Sequence, residues 1–378
     1  MNKFFAIFAI AFIFGSISVR GQKKEGVELP MGRRGLMPTI EVMVNGQGPF
    51  TFAIDTGAQG EARLDSSLVE KLGLKPTGSI RASDGSGGNT RTLETMTVDS
   101  IEFGGLKFKN LTALTRNYNV SPNLPKIDGI LGFNLFADYL LTLDFPAQKV
   151  RVDAGQLPVA NGRDILDFDG SNGLASVELS VGDQKVKAHI DSGNLAGGFM
   201  LPTAVVEKSN LAGEAVVVGR ARTVTSEIEI KQAQLKDTIR LGQFSFDQPT
   251  INFPALADAN IGARVLNEFA LTFDQKNRRL RLKRTETKKT DPPAATDVTK
   301  FKDLVGVYGQ RTIFEENGSL FIQRTGGPKL KLKELSENEY ALEQVPNARI
   351  KFVRDGGGKV TAIEVLNPQG VWEKSAKN

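Results

Sequence analysis

Two triplets hold the residues best suited to chemistry: Asp55-Thr56-Gly57 and Asp191-Ser192-Gly193, their aspartates 136 positions apart. Carboxylates can give or take protons, and a pair in unequal environments can divide the work of acid and base. The rest of the composition directs attention to them. The chain has no cysteine, which excludes thiolate nucleophiles, disulfides and Cys-ligated zinc. Its single histidine, His189, excludes an HExxH site and any metal site needing two histidines. G-x-S-x-G, S-x-x-K and G-x-x-x-x-G-K do not occur. No cofactor or metal set is expected. One Asp-Thr/Ser-Gly triplet would be weak evidence, because such a triplet is also an ordinary strand-ending turn. Two at equivalent places are different, and that equivalence depends on the elements around them.

Those elements form an internal repeat. Residues 39–74 and 175–211 each show an alternating strand, a Gly-containing turn and a second strand ending in the triplet. A short helix with Val-Glu-Lys follows in both, starting near Asp65/Ser66 in one and Pro202/Thr203 in the other, with Gly73 as a natural stop for the first. The likeness resumes in LGFNLFADYLLTLDF (131–145) and IGARVLNEFALTFDQ (261–275). Gly132 there matches Gly262 and Asp144 matches Asp274, both 130 positions apart. Period-2 alternation dominates, as in Ile40-Glu-Val-Met-Val and Val177-Glu-Leu-Ser-Val. Residues 30–153 and 172–284 therefore read as two copies of one mostly β unit. A polar, Pro-containing linker is expected at 285–299, and a small β unit of short strands at 300–378.

The paired triplets, each preceded by an apolar strand and followed by an apolar-Gly element, resemble the lobes of the pepsin/retropepsin superfamily of aspartic peptidases. The closer likeness is to bacterial retropepsin-like proteins with both lobes in one chain. It covers about 250 residues and is carried best by residues 50–57, 127–136 and 188–193. The resemblance implies an all-β bilobal fold with short helices, plus the small C-terminal β domain. It implies that Asp55 and Asp191 face each other as catalytic residues. Thr56 and Ser192 would interlock across the axis, and Gly57 and Gly193 would let backbone N–H groups approach the carboxylates. Ile130-Leu-Gly132 matches the apolar-apolar-Gly support element, whereas the second copy departs from it with Asn260 before Ile261-Gly262, and Asn194 stands where a small residue is usual. A flap is also implied. Asp84, Gly85, Ser86, Gly87 and Gly88 lie between strand-like runs and are the candidates, with Gly219–Arg222 a weaker equivalent in the second copy.

The implied activity is hydrolysis of peptide bonds in an extended polypeptide, with a catalytically inactive peptide-binding protein as the alternative. A monomer is expected, since one chain carries both halves. Residues 1–21 read as an export signal: Lys3 precedes an apolar run of 11 residues from Phe4 to Phe14, too short to span a bilayer. The expectation is an exported, periplasmic or secreted protein with no membrane span after signal removal. A net charge of +5, spread without a dense basic stripe, gives no indication of nucleic acid. His189 is expected to be structural, Asp167, Asp169, Ser171 and Glu178 to form a turn rather than a calcium loop, and Asp144 and Asp274 to shape turns.

Overall fold

The computed structural model describes residues 26–83, 90–120, 125–194, 198–222, 227–255, 258–284, 301–316, 318–324, 329–342, 349–366 and 372–378. The predicted export signal, the linker 285–299 and the flap candidates Asp84 to Gly88 lie outside these. The described chain is mostly β with a few short helices, as the alternation predicts, and it includes the additional C-terminal β unit.

The first copy builds a sheet whose order is Gly32–Arg34, Met37–Val44, Gln47–Asp55, Gly129–Gly132, Ala62–Asp65, Leu106–Arg116, Thr90–Phe103 and Pro76–Ser83. The second builds Val216–Arg222, Glu227–Gln234, Thr250–Phe253, Phe199–Met200, Ala259–Gly262, Gln184–Asp191, Ser176–Val181, Ile239–Leu241 and Phe244–Phe246. The centres of the two sheets correspond. In each, the strand ending in the triplet's aspartate lies parallel to the apolar-Gly strand, pairing Asp55 with Gly132 and Asp191 with Gly262.

Where the repeat predicts two copies of one mostly β unit, the copies also share a sheet. Its order is Val27–Pro30, Lys149–Asp153, Leu140–Asp144, Phe269–Asp274, Arg279–Arg284 and Ile165–Asp167. The two Leu-Thr-apolar-Asp strands pair antiparallel at its centre with Thr142 opposite Thr272, and their hydroxyl oxygens lie 2.9 Å apart. Leu140 faces Asp274 while Asp144 faces Ala270, so the register is symmetric about the threonine pair and marks a local two-fold axis. The alternation drives this union. Leu141, Leu143, Leu271 and Phe273 are all fully buried, in one continuous apolar core running from Met31 to Leu282.

Helix Ser66–Leu72 follows its sequence signals. Asp65 caps it by accepting from the Ser67 N–H, and Gly73 closes it at φ 64°, a left-handed conformation that suits glycine. The equivalent helix Thr203–Val206 is shorter, and Pro202 at its start offers no side-chain cap.

Among the described residues beyond 300, eight strands from Gly306–Tyr308 to Trp372–Ala376 follow one another as a meander. A bridge between Tyr308 and Lys377 and a bond from the Asn378 N–H to the Val307 carbonyl (2.8 Å) join the last strand to the first and close a small barrel. Tyr308, Ile313, Ile350, Phe352 and Ile363 fill it as a second core.

Candidate active site

Each triplet turns out of its strand where an apolar backbone ends. Ile54 and Ile190 are buried, Asp55 and Asp191 are partly accessible, and the turn closes by backbone bonds from Ala58 N–H to the Asp55 carbonyl and from Asn194 N–H to the Asp191 carbonyl. The apolar-Gly strands support the turns from beneath. Gly132 N–H donates to the Glu61 carbonyl and Phe133 N–H to that of Ala58, while Gly262 N–H donates to Gly198 and Ala263 N–H to Asn194. A methyl group at Gly132 would lie 2.3 Å from the Gly60 carbonyl oxygen, so only glycine lets these segments meet.

The triplets interlock. Thr56 and Ser192 are both fully buried. Thr56 Oγ1 donates to the Ile190 carbonyl at 2.7 Å and accepts from Ser192 N–H at 3.0 Å. Ser192 Oγ donates to the Ile54 carbonyl at 2.8 Å and accepts from Thr56 N–H at 3.0 Å. Buried polar groups must be paired, and here each hydroxyl satisfies the other copy's backbone.

This lock brings the carboxylates together. Asp55 and Asp191 lie close enough for the charge of Asp191 to act on Asp55. A Cβ on Gly57 would stand 2.4 Å from the Asp191 carboxyl, and one on Gly193 would stand 2.4 Å from that of Asp55. Each glycine also donates its N–H to its own copy's aspartate at 2.9 Å. Two close carboxyl groups cannot both ionise comfortably. Burial, and secondarily the charge of Asp191, pushes Asp55 from its ordinary 3.8 up to about 7, against the opposing pull of Arg63. A pair that shares one proton near neutrality can present both a base and an acid.

The six candidate residues of the two triplets are thus brought together. The flap candidates are not described, but the strands leading to them, Pro76–Ser83 and Thr90–Phe103, pair up to Ser83 opposite Thr90. In the second copy Val216–Arg222 pairs with Glu227–Gln234 as the corresponding hairpin.

Two residues that no motif marks also bear on the site: Arg63, whose charge acts on Asp55, and Tyr118, whose hydroxyl is raised above the ordinary tyrosine range mainly by burial, against the charge of Arg63. Nothing in their type or spacing marks either of them. Asn194 and Asn260 enter the sequence reading only as departures from the support pattern, yet both contact the site. Asn260 Nδ2 donates to Asp191 Oδ2 at 2.6 Å, and Asn194 Nδ2 donates to Asn260 Oδ1 at 2.7 Å. The break in the repeat at 260 was the signal that could have found them.

His189 turns away from the dyad. Its Nδ1 meets Ser176 Oγ at 2.7 Å, and its Nε2 lies 3.6 Å from Asp258. With Ser176 buried at 2% exposure, this set cannot serve as a hydrolytic triad. Asp169 pairs with Lys187 and accepts from Ser171 N–H, as a turn residue does.

Residues 40–135 match the family model described as aspartyl protease. The matched span includes the first triplet, the helix Ser66–Leu72 and the Gly129–Gly132 strand. Among curated proteins, none matches the chain significantly.

Proposed function

We propose that the chain is an aspartic endopeptidase in which Asp55 and Asp191 together activate a water molecule against a peptide carbonyl. The observation that carries this reading is the reciprocal Thr56–Ser192 lock, which packs each triplet's glycine against the carboxyl group of the other copy. The aspartyl protease match over the first copy supports the same class of chemistry.

In this reading the charged carboxylate takes a proton from water as its oxygen attacks the carbonyl carbon. The protonated carboxyl gives its proton to the carbonyl oxygen, leaving a neutral tetrahedral diol. Collapse returns one diol proton to the charged carboxylate while the protonated carboxyl gives its own proton to the departing amine, and the C–N bond breaks. The products are a carboxylic acid and an amine, and the pair again holds one proton. The backbone N–H groups of Gly57 and Gly193 fix the carboxylates, so little reorganisation is needed.

The substrate class is extended polypeptide, which would lie between the paired hairpins as an added strand. One chain would form the whole site, and the protein would act after export and removal of residues 1–21.

Cleavage of a diverse peptide pool from pH 3 to 8 tests the proposal, using the parent, Asp55→Asn and Asp191→Asn. Cutting by the parent alone is expected, with specific activity independent of dilution. Folded protein that binds peptides but cuts none of them would replace this reading with a peptide-binding one.

A further inference from the structure

The two halves of the site match in backbone but not in the donors they aim at the carboxylates. Among the described residues, Asp55 Oδ1 accepts one protein N–H, that of Gly57 at 2.9 Å. Asp191 accepts three: Gly193 N–H at 2.9 Å and Asn194 N–H at 3.0 Å on Oδ1, and Asn260 Nδ2 at 2.6 Å on Oδ2. One extra donor comes from a substitution in the repeat: Ile130, buried, stands where the second copy has Asn260. The other is the Asn194 backbone N–H, whose counterpart at Ala58 bonds the Asp55 carbonyl instead.

The asparagines act in series. Asn194 Nδ2 donates to Asn260 Oδ1 at 2.7 Å, which turns the Asn260 amide so that its NH2, rather than its oxygen, faces Asp191. Asn194 Nδ2 also lies 3.3 Å from Met200 Sδ, which holds its amide on that side. The strand Ala259–Gly262 fixes the Asn260 backbone, with Asn260 paired opposite His189 and Gly262 opposite Asp191.

Hydrogen bonds donated to a carboxyl favour its charged form, and the first copy supplies fewer of them. We propose that Asn260, oriented by Asn194, is a positioning residue that places the dyad's shared proton on Asp55 and the charge on Asp191. The inference rests on the aspartic peptidase reading of the same residues and adds a division of labour to it. Asp191 is the base toward water, and Asp55 is the acid toward the carbonyl oxygen. Burial of Asp55 beside a charged Asp191 works in the same direction. The other groups facing the pair are Arg63, which favours charge on Asp55, and Tyr118, which feels the charges of both Arg63 and Asp55. His189 reaches the region only through its backbone pairing with Asn260, because its ring is directed at Ser176 and Asp258.

Two measurements test this. The first is a carboxyl-carbon NMR titration of the aspartate-labelled parent, with Asp55→Asn and Asp191→Asn used to assign the two signals. As pH falls from 9, Asp55 is expected to take the first proton. First uptake by Asp191, or equal uptake, would overturn the proposal, and this readout does not depend on activity. The second is the pH dependence of kcat/KM for Asn260→Ile, which installs the residue the first copy carries. Losing a donor to the charged form makes the singly charged pair harder to reach, so the acid limb should move up by about one pH unit. Asn194→Ala should move it the same way by less. A folded Asn260→Ile with an unmoved limb would also overturn the proposal. If the parent cleaves nothing while the titration still puts the proton on Asp55, the peptidase reading fails and the proton placement stands.

Discussion

Thr56 and Ser192 bond each other's backbone reciprocally, each hydroxyl oxygen accepting the other residue's N–H at 3.0 Å. The same oxygens donate to Ile190 and Ile54, so one side chain serves two buried backbone groups of the opposite copy. Removing either hydroxyl leaves a buried N–H and a buried carbonyl unpaired. Ser192→Ala and Thr56→Val should each cost about 2–4 kcal/mol, and Thr56→Ser less than half of that. Urea unfolding would measure these costs, and a loss under about 0.5 kcal/mol for Ser192→Ala would show that the lock carries little of the stability.

Gly57 and Gly193 make a steric prediction. An added methyl at either would sit 2.4 Å from the opposing carboxyl group, well inside contact distance. Gly57→Ala and Gly193→Ala should therefore push the carboxylates apart and lower kcat/KM by about 100-fold or more, the scale of loss that a shift of about 1 Å brings. Peptide cleavage beside a thermal melt separates this loss from unfolding. Activity close to the parent's would mean that the carboxyl groups can work at a wider separation.

The dyad also sets a pH dependence of stability. Asp55 is raised from 3.8 to about 7 in the folded protein, chiefly by burial. A carboxyl with a raised folded value is favourable below its unfolded value, and that contribution is lost as pH rises through the folded one. Stability linked to Asp55 is thus full below about pH 4 and gone above about pH 7. Asp55→Asn removes the charge that must be buried at high pH. Its melting temperature should exceed the parent's by about 2–4 °C at pH 8, with the gap closing at pH 4. A constant gap across this range would contradict the linkage.

Asp144 and Asp274 occupy equivalent positions but carry different loads. Asp144 is half-buried and accepts the Ala147 N–H at 3.0 Å across its turn. Asp274 is 2% exposed and accepts Asn277 N–H and Nδ2, and also Leu157 N–H at 2.8 Å from the segment between the copies. Asp274→Ala should cost about 3 kcal/mol and Asp144→Ala about 1 kcal/mol. Paired denaturant curves would decide, and equal costs would show that the Leu157 anchor adds nothing.

Much of the architecture could be read in advance where local chemistry decides it. The alternation at Ile40 to Val44 and Val177 to Val181 specifies strands with one buried side, and Asp65 and Gly73 bound a helix by capping rules that act within a few residues. The repeat identified both aspartates, because the same strand-turn pattern had to end at the same place twice. The shared six-stranded sheet was not legible, since the alternation in Leu140–Asp144 and Phe269–Asp274 gives each strand a buried face without naming its neighbour. Closure of the barrel through Tyr308 and Lys377 was hidden for the same reason.

The sequence by itself determined the residue types available for chemistry, their duplicated setting and the strands that end in them, because these follow from composition and short-range periodicity. Only the tertiary structure decided how those residues meet. The approach of the two carboxyl groups, the crossing of Thr56 and Ser192 and the donation from Asn260 to Asp191 all join residues far apart in the chain. Such distances and donor counts depend on the packing of whole sheets, which no local pattern encodes.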